Sequence, residues 1–179
     1  GCGPGLVAAK PLVSSMTISQ EYSESMQRYT QYGAKDPSVK HRRYGAMAIF
    51  SRFTPIVGDS AYNPAEMKTG WVSLKRGSGA SAQAKIFENL KMYYGFNRSE
   101  VNVKLFLDDV PFADENLPAR KGLAVKHWHF NSNPHKIMLI MEGADSPDIY
   151  GLSLEGDNGV ALDNISMRGS SGTTFGSLD

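Results

Sequence analysis

The sequence predicts an all-β fold, a jelly-roll-like antiparallel β-sandwich. Three observations predict it. Apolar and polar residues alternate over short runs, as in strands that bury one face. The runs recur at roughly ten-residue intervals with Gly, Pro, Asn and Asp between them, the spacing of sandwich strands and turns. No solenoid-length repeat and no low-complexity tract interrupts that pattern. The 179 residues are enough for one good core.

The elements follow in chain order. The opening GCGPGLVAAKPLV is rich in glycine and without period, and reads as a loop leading into a strand. SMTISQEYS alternates. RRYGAMAIFSRFTPI, from Arg42 to Ile56, carries Tyr44, Met47, Ile49, Phe50 and Phe53 among small residues and stops at Pro55. TGWVSLKRG sets Trp71, Ser73 and Lys75 against Val72, Leu74 and Arg76. AKIFENLKMYYG, Ala84–Gly95, has helix-compatible spacing, but its aromatic end and flanking strands favour β. VNVKLFLDD places Val101, Val103, Leu105 and Leu107 on one face, and LDDVPF turns it into a hairpin. GLAVKHWHF puts Leu123, Val125, His127 and His129 on one face and Ala124, Lys126, Trp128 and Phe130 on the other. HKIMLIMEG is apolar from Ile137 to Met141 and should be a central strand. Asp148–Met167 reads as two strands around a turn at Glu155–Gly159; the composition shifts after Gly159, and a domain boundary is expected near Gly156–Gly159.

A formal net charge of +1 gives no broad attraction to nucleic acid or to a membrane surface. No apolar run approaches the ~20 residues that span a bilayer. Cys2 is the single cysteine, which excludes an intrachain disulfide and a cysteine-based metal site. A glycine-rich turn is the plain reading of Gly1-Cys2-Gly3, and a lipid-modified cysteine after signal cleavage is the alternative.

Four features carry possible chemistry. Gly58-Asp59-Ser60 has the form of an esterase nucleophile block, but Pro55 and Pro64 do not suit the buried strand and helix that should flank it. An exposed loop is the commoner reading of such a tripeptide. His127 and His129 share a strand face at metal-site spacing, yet no carboxylate cluster accompanies them, so no metal is expected. No residue set implies a cofactor. Trp71, Tyr93, Tyr94, Trp128 and Tyr150 could form an aromatic platform for sugar rings, and of these Trp71, Trp128 and Tyr94 are taken as the substrate contacts. Finally, Met167–Thr174, MRGSSGTT, is a glycine turn whose amides can converge on an anion or oxyanion. A plain turn is its commoner meaning.

Taken together, GCGPGLVAAKPL, Gln27–Phe53 and Ser146–Thr173 resemble the middle portion of the two-part SGNH (GDSL-type) hydrolases of Bacteroidetes-like secreted proteins. These are similar in layout to peptidoglycan and polysaccharide O-acetylesterases with a β-sandwich inserted in the catalytic domain. The resemblance implies three parts: residues 1–13 as an N-terminal stump of the catalytic domain, 14–155 as a carbohydrate-binding-module-like sandwich, and 156–179 as a strand and oxyanion-type loop. It puts Gly169 at the oxyanion-hole amide, with Arg168 beside it. The partners it implies are a polysaccharide or peptidoglycan glycan and the rest of the SGNH domain, in a secreted, periplasmic or surface location. The Gly-x-Asn-Asp and Asp-x-x-His blocks of that family do not occur here, and the one Gly-Asp-Ser, at Ser60, falls within the sandwich rather than at the start of a catalytic domain, so the resemblance implies that this chain alone hydrolyses nothing. Two rival readings stand: a stand-alone extracellular adhesion domain anchored through Cys2, and a self-contained esterase using Ser60 with His127 or His129 as base.

Overall fold

The computed structural model describes residues 3–11, 15, 17–30, 49–79 and 85–157. Two antiparallel sheets face each other around one core. The first holds β1 (Gly5–Val7), β3 (Gln27–Thr30), β4 (Ile49–Arg52), β6 (Asn89–Asn97), β9 (Arg120–His129) and β11 (Asp148–Glu155). Its strand order is β3-β4-β11-β6-β9, and β1 also pairs with β11. The second holds β2 (Ile18–Tyr22), β5 (Lys68–Arg76), β7 (Val101–Leu107), β8 (Val110–Leu117) and β10 (Lys136–Gly143), in the order β2-β5-β10-β7-β8. The all-β sandwich read from the alternation is the fold, and the described residues contain no α-helix.

Side-chain alternation explains the core. Ile137, Leu139 and Met141 of β10 point inward with Val101, Val103 and Leu105 of β7 and Val72 and Leu74 of β5. They meet Leu90, Met92 and Tyr94 of β6 and Ile149, Leu152 and Leu154 of β11. Burying one such aliphatic side chain is worth roughly 1.5–3 kcal/mol. The expectation that the Ile137–Met141 run is central holds, because β10 lies between β5 and β7.

The hairpin at Leu107–Val110 turns through Asp108 and Asp109, with φ of 49° and 67°. Two successive positive φ values are what a two-residue type I′ turn needs, and Asp tolerates them better than most residues. The Asp108 carboxylate also accepts the backbone N–H groups of His135 (2.9 Å) and Lys136 (2.8 Å), tying the hairpin to the loop before β10.

Part of the segment expected to be an N-terminal stump, residues 1–13, is paired with the first sheet. Gly5–Val7 pairs with Leu152–Leu154 of β11 as a strand of that sheet. Ala9 is buried in the same core, and Lys10 Nζ donates to the Met26 carbonyl at 2.6 Å. The run read as β from Ala84 becomes a strand only at Asn89. The expected strand and glycine turn after Gly159, with Arg168 and Gly169, lie outside the described residues, as does Cys2.

Candidate functional site

The outer face of the first sheet carries a groove of about 300 Å³, lined by Leu6, Tyr93, Leu123, Tyr150, Gly151, Ser153 and Glu155. Its construction follows from register. Tyr93 of β6 stands opposite Gly151 of β11 on one side and Val125 of β9 on the other. Glycine at 151 leaves room for Leu6 of β1, which would lie 2.8 Å from an added Cβ. Leu6, Leu123 and Val125 are exposed at 41%, 46% and 51%, so three apolar side chains meet water around a half-buried tyrosine. Apolar groups clustered in a concavity mark a binding surface more often than apolar residues scattered singly. Tyr150 joins the groove to a small apolar cluster in which Phe50 packs against Tyr29 at 5.3 Å, stacked, and against Tyr150 at 6.0 Å.

The next two cross-strand rows are polar. Lys91 lies between Ser153 and His127, and Asn89 lies between Glu155 and His129. Lys91 Nζ donates to Glu155 Oε2 at 2.6 Å, and Ser153 Oγ donates to Glu155 Oε1 at 2.6 Å. Asn89 Oδ1 faces His127 Nε2 at 2.8 Å and His129 Nδ1 at 3.1 Å, while Asn89 Nδ2 donates to Asp157 Oδ1 at 2.7 Å. With the amide in this orientation both rings donate to one carbonyl oxygen, and a ring in its neutral form would keep His127 Nδ1 or His129 Nε2 as an acceptor.

The hydrogen bond from Lys91, then that from Ser153, holds the Glu155 carboxyl below the usual carboxylate range. The same bond to Glu155 raises the Lys91 ammonium above its ordinary value. Both groups are therefore charged at neutral pH, and both oxygens of Glu155 are engaged before any ligand arrives. The result is an apolar floor beside a wall of mutually oriented donors and acceptors.

The aromatic contacts expected from sequence separate. Trp128 and Tyr94 are 4% and 3% exposed and belong to the core, so neither ring offers a face to solvent. Trp128 shares its side of β9 with Ala124, and Tyr94 shares its side of β6 with Leu90 and Met92; both are inward sides. Trp71 does lie outward, half-buried on β5 of the second sheet opposite Ile140. Tyr93 and Tyr150, which belong to the aromatic platform expected from the sequence, line the groove.

Ser60 sits on an exposed one-turn 3-10 helix, Asp59–Ala61, and both candidate base histidines are bonded to Asn89. Among the described residues no three His, Cys, Asp or Glu side chains are grouped to hold a metal ion, and no helix is long and apolar enough to cross a membrane.

Solved carbohydrate-binding modules resemble this fold. The family 35 module of Paenibacillus barcinonensis is 11% identical with a TM-score of 0.42, over 75% of this chain and 91% of that one. A family 61 module solved with β-1,4-galactotriose is 7% identical with a TM-score of 0.38, over 78% and 84% of the two chains. An exo-β-1,3-galactanase of Phanerochaete chrysosporium is 12% identical with a TM-score of 0.42, over 79% of this chain and 29% of that one. No family model and no curated protein sequence matches the chain.

Proposed function

We propose that this chain is a glycan-binding β-sandwich whose binding surface is the groove around Tyr93. The observation that carries the reading is the adjacency of a half-buried tyrosine on an apolar floor with a wall of hydrogen-bonded polar side chains. A pyranose has the same two-sided character: its C–H face packs on an aromatic ring, and its hydroxyls donate and accept at the rim. Lys91 has ammonium protons beyond the one given to Glu155, and His127 and His129 in their neutral forms present acceptor nitrogens. The groove can therefore match both roles of a hydroxyl. Because the wall is already cross-linked, little side-chain freedom remains to be lost on binding.

Affinity gel electrophoresis against a panel of neutral polysaccharides tests the reading. The wild-type protein should be retarded by at least one polysaccharide. Tyr93→Ala should weaken that interaction about 30-fold, the effect of losing an anchor worth ~2 kcal/mol. Free migration of the wild-type protein through every gel would refute the proposal.

The finer proposal follows the sequence resemblance: the module positions substrate for a secreted or periplasmic SGNH-type carbohydrate deacetylase, with Gly169 supplying an oxyanion-hole amide beside Arg168. A positioning module raises the local concentration of the bond to be cleaved through tethering. The parent protein should then contain a Gly-Asp-Ser block before this stretch and an Asp-x-x-His block after it, and should hydrolyse an aryl acetate. A parent protein without these blocks rules out the esterase and leaves the binding module intact.

A further inference from the structure

The groove around Tyr93 is polar at one end and apolar at the other, and the division runs along the strands. Toward its polar end lie two cross-strand rows, Ser153 with Lys91 and His127, then Glu155 with Asn89 and His129. Toward its apolar end Tyr93 stands between Gly151 and Val125, and in the next row Gly95 faces Leu123. Tyr150, the extra residue of the bulge between Ile149 and Gly151, and Leu6, packed over Gly151, complete that end.

Two observations set the chemistry of the apolar end. First, the Tyr150 hydroxyl is turned toward the buried Asp148, whose Oδ2 accepts it at 3.5 Å, so its polar atom is already engaged. Second, among the described residues three of the eight exposed large hydrophobic side chains, Leu6, Leu123 and Val125, stand around this one tyrosine. Single exposed apolar side chains need no explanation, but three gathered at one end of a concavity do. An unsubstituted neutral pyranose carries hydroxyls around its whole rim. Those at the polar end can bond to Lys91. Those at the other end would lose water against Leu123 and Val125 and gain no hydrogen bond, whereas a methyl group there gains by burial. A wholly apolar ligand fares no better, since it strips water from Lys91 and Glu155 and returns no bond. The groove therefore suits a molecule as two-sided as itself.

We propose that the groove selects a neutral sugar ring with free hydroxyls on one edge and a methyl group on the other, borne either by an O-acetyl ester or by a 6-deoxy carbon. The proposal rests on the glycan-binding reading above and narrows it to a substrate class. The hydroxyl edge lies toward Lys91, whose ammonium has protons beyond the one given to Glu155. The C–H face of the ring packs on Tyr93, and the methyl group reaches Leu123 and Val125. Because the two ends of the groove differ in kind, they fix the direction of the sugar as well as its identity. A sugar with hydroxyls on both edges satisfies the polar end alone.

Titration calorimetry with matched pairs tests this. Acetylated oligosaccharides of glucomannan and of xylan are compared with the same oligosaccharides after mild alkaline deacetylation. Methyl β-D-fucopyranoside is compared with methyl β-D-galactopyranoside, which differs by one hydroxyl at C6. The methyl-bearing member of at least one pair should bind about 10-fold tighter, the low end of what one carbon is worth in an apolar pocket. A preference in the oligosaccharide pairs assigns the acyl methyl, and one in the glycoside pair assigns the ring methyl. The double variant Leu123→Thr/Val125→Thr should abolish the preference and still melt cooperatively. If it does not fold, Val125→Thr alone serves, because it exchanges one methyl for a hydroxyl on a side chain that is 51% exposed. Equal affinity within every pair overturns the proposal, as does a preference that survives the substitution. If none of these probes binds while another neutral polysaccharide does, the methyl-bearing class fails and the glycan reading stands. If no saccharide binds, both fail.

Discussion

Two ion-pair networks in this protein have the same bond lengths and opposite meanings. In one, Arg52 of β4 reaches Asp145 at 2.5 Å and Asp148 at 2.6 Å, with side-chain exposures of 5%, 7% and 0%. In the other, Lys91 reaches Glu155 at 2.6 Å, with exposures of 32% and 28%. The buried network is closed on every side. Arg52 Nε also donates to the Thr54 carbonyl, Asp145 Oδ2 accepts the Arg98 N–H, and Ser146 exchanges bonds with Phe53 and Thr54. It fastens the end of β4 to the β10–β11 connection and presents little to a ligand. The half-exposed network has an ammonium with protons to spare and opens on a groove. Distance does not separate a structural pair from a binding pair; burial and unused hydrogen-bonding capacity do.

The largest effect that can sharpen the contrast is on stability. Arg52→Ala strands two carboxylates in the interior and should cost ~3–5 kcal/mol in a urea or thermal melt. A loss below ~1 kcal/mol would put this network in the same class as the exposed one. Next comes Tyr93→Ala, which should remove most glycan affinity while leaving a cooperative melt. Coupled loss of fold and binding would make Tyr93 a packing residue.

Smaller effects belong to Lys91 and Glu155. Glu155→Gln should change stability by no more than ~1 kcal/mol, because the pair is open to solvent and screened. Its pH signature is specific. The folded pKa of Glu155 is lowered, so its contribution is present above the ordinary carboxylate range and fades as pH falls through the lowered value. The folded pKa of Lys91 is raised, so its contribution is present below the ordinary lysine range and is lost as pH rises through the raised value. Glu155→Gln should therefore flatten the acid limb of the stability profile. An unchanged acid limb would mean the pair contributes nothing to folding.

Much of this was legible in the sequence, for a plain reason. Period-two alternation sorts residues by face, and it placed Leu123, Val125, His127 and His129 together on the side where the structure finds them. Alternation does not say which face is inward. Lys126, on the same side of β9 as Trp128, gave that side a polar look, although its ammonium leaves the core edge to pair with Glu115. On β6 the signal was available: Tyr94 shares its parity with Leu90 and Met92, whereas Tyr93 shares its own with Lys91 and Asn89. Gly5–Val7 was too short to show a period, and its pairing with β11 joins residues far apart in the chain. The Lys91–Glu155 contact spans 64 residues, so only the folded register could reveal it.

The central claim is that glycan binding belongs to the Tyr93 face and not to the Trp71 face. The most direct measurement compares Tyr93→Ala with Trp71→Ala against the same neutral polysaccharide by titration calorimetry. The account predicts about a 30-fold loss for Tyr93→Ala and wild-type affinity for Trp71→Ala. Loss confined to Trp71→Ala would contradict it and move the site to the second sheet.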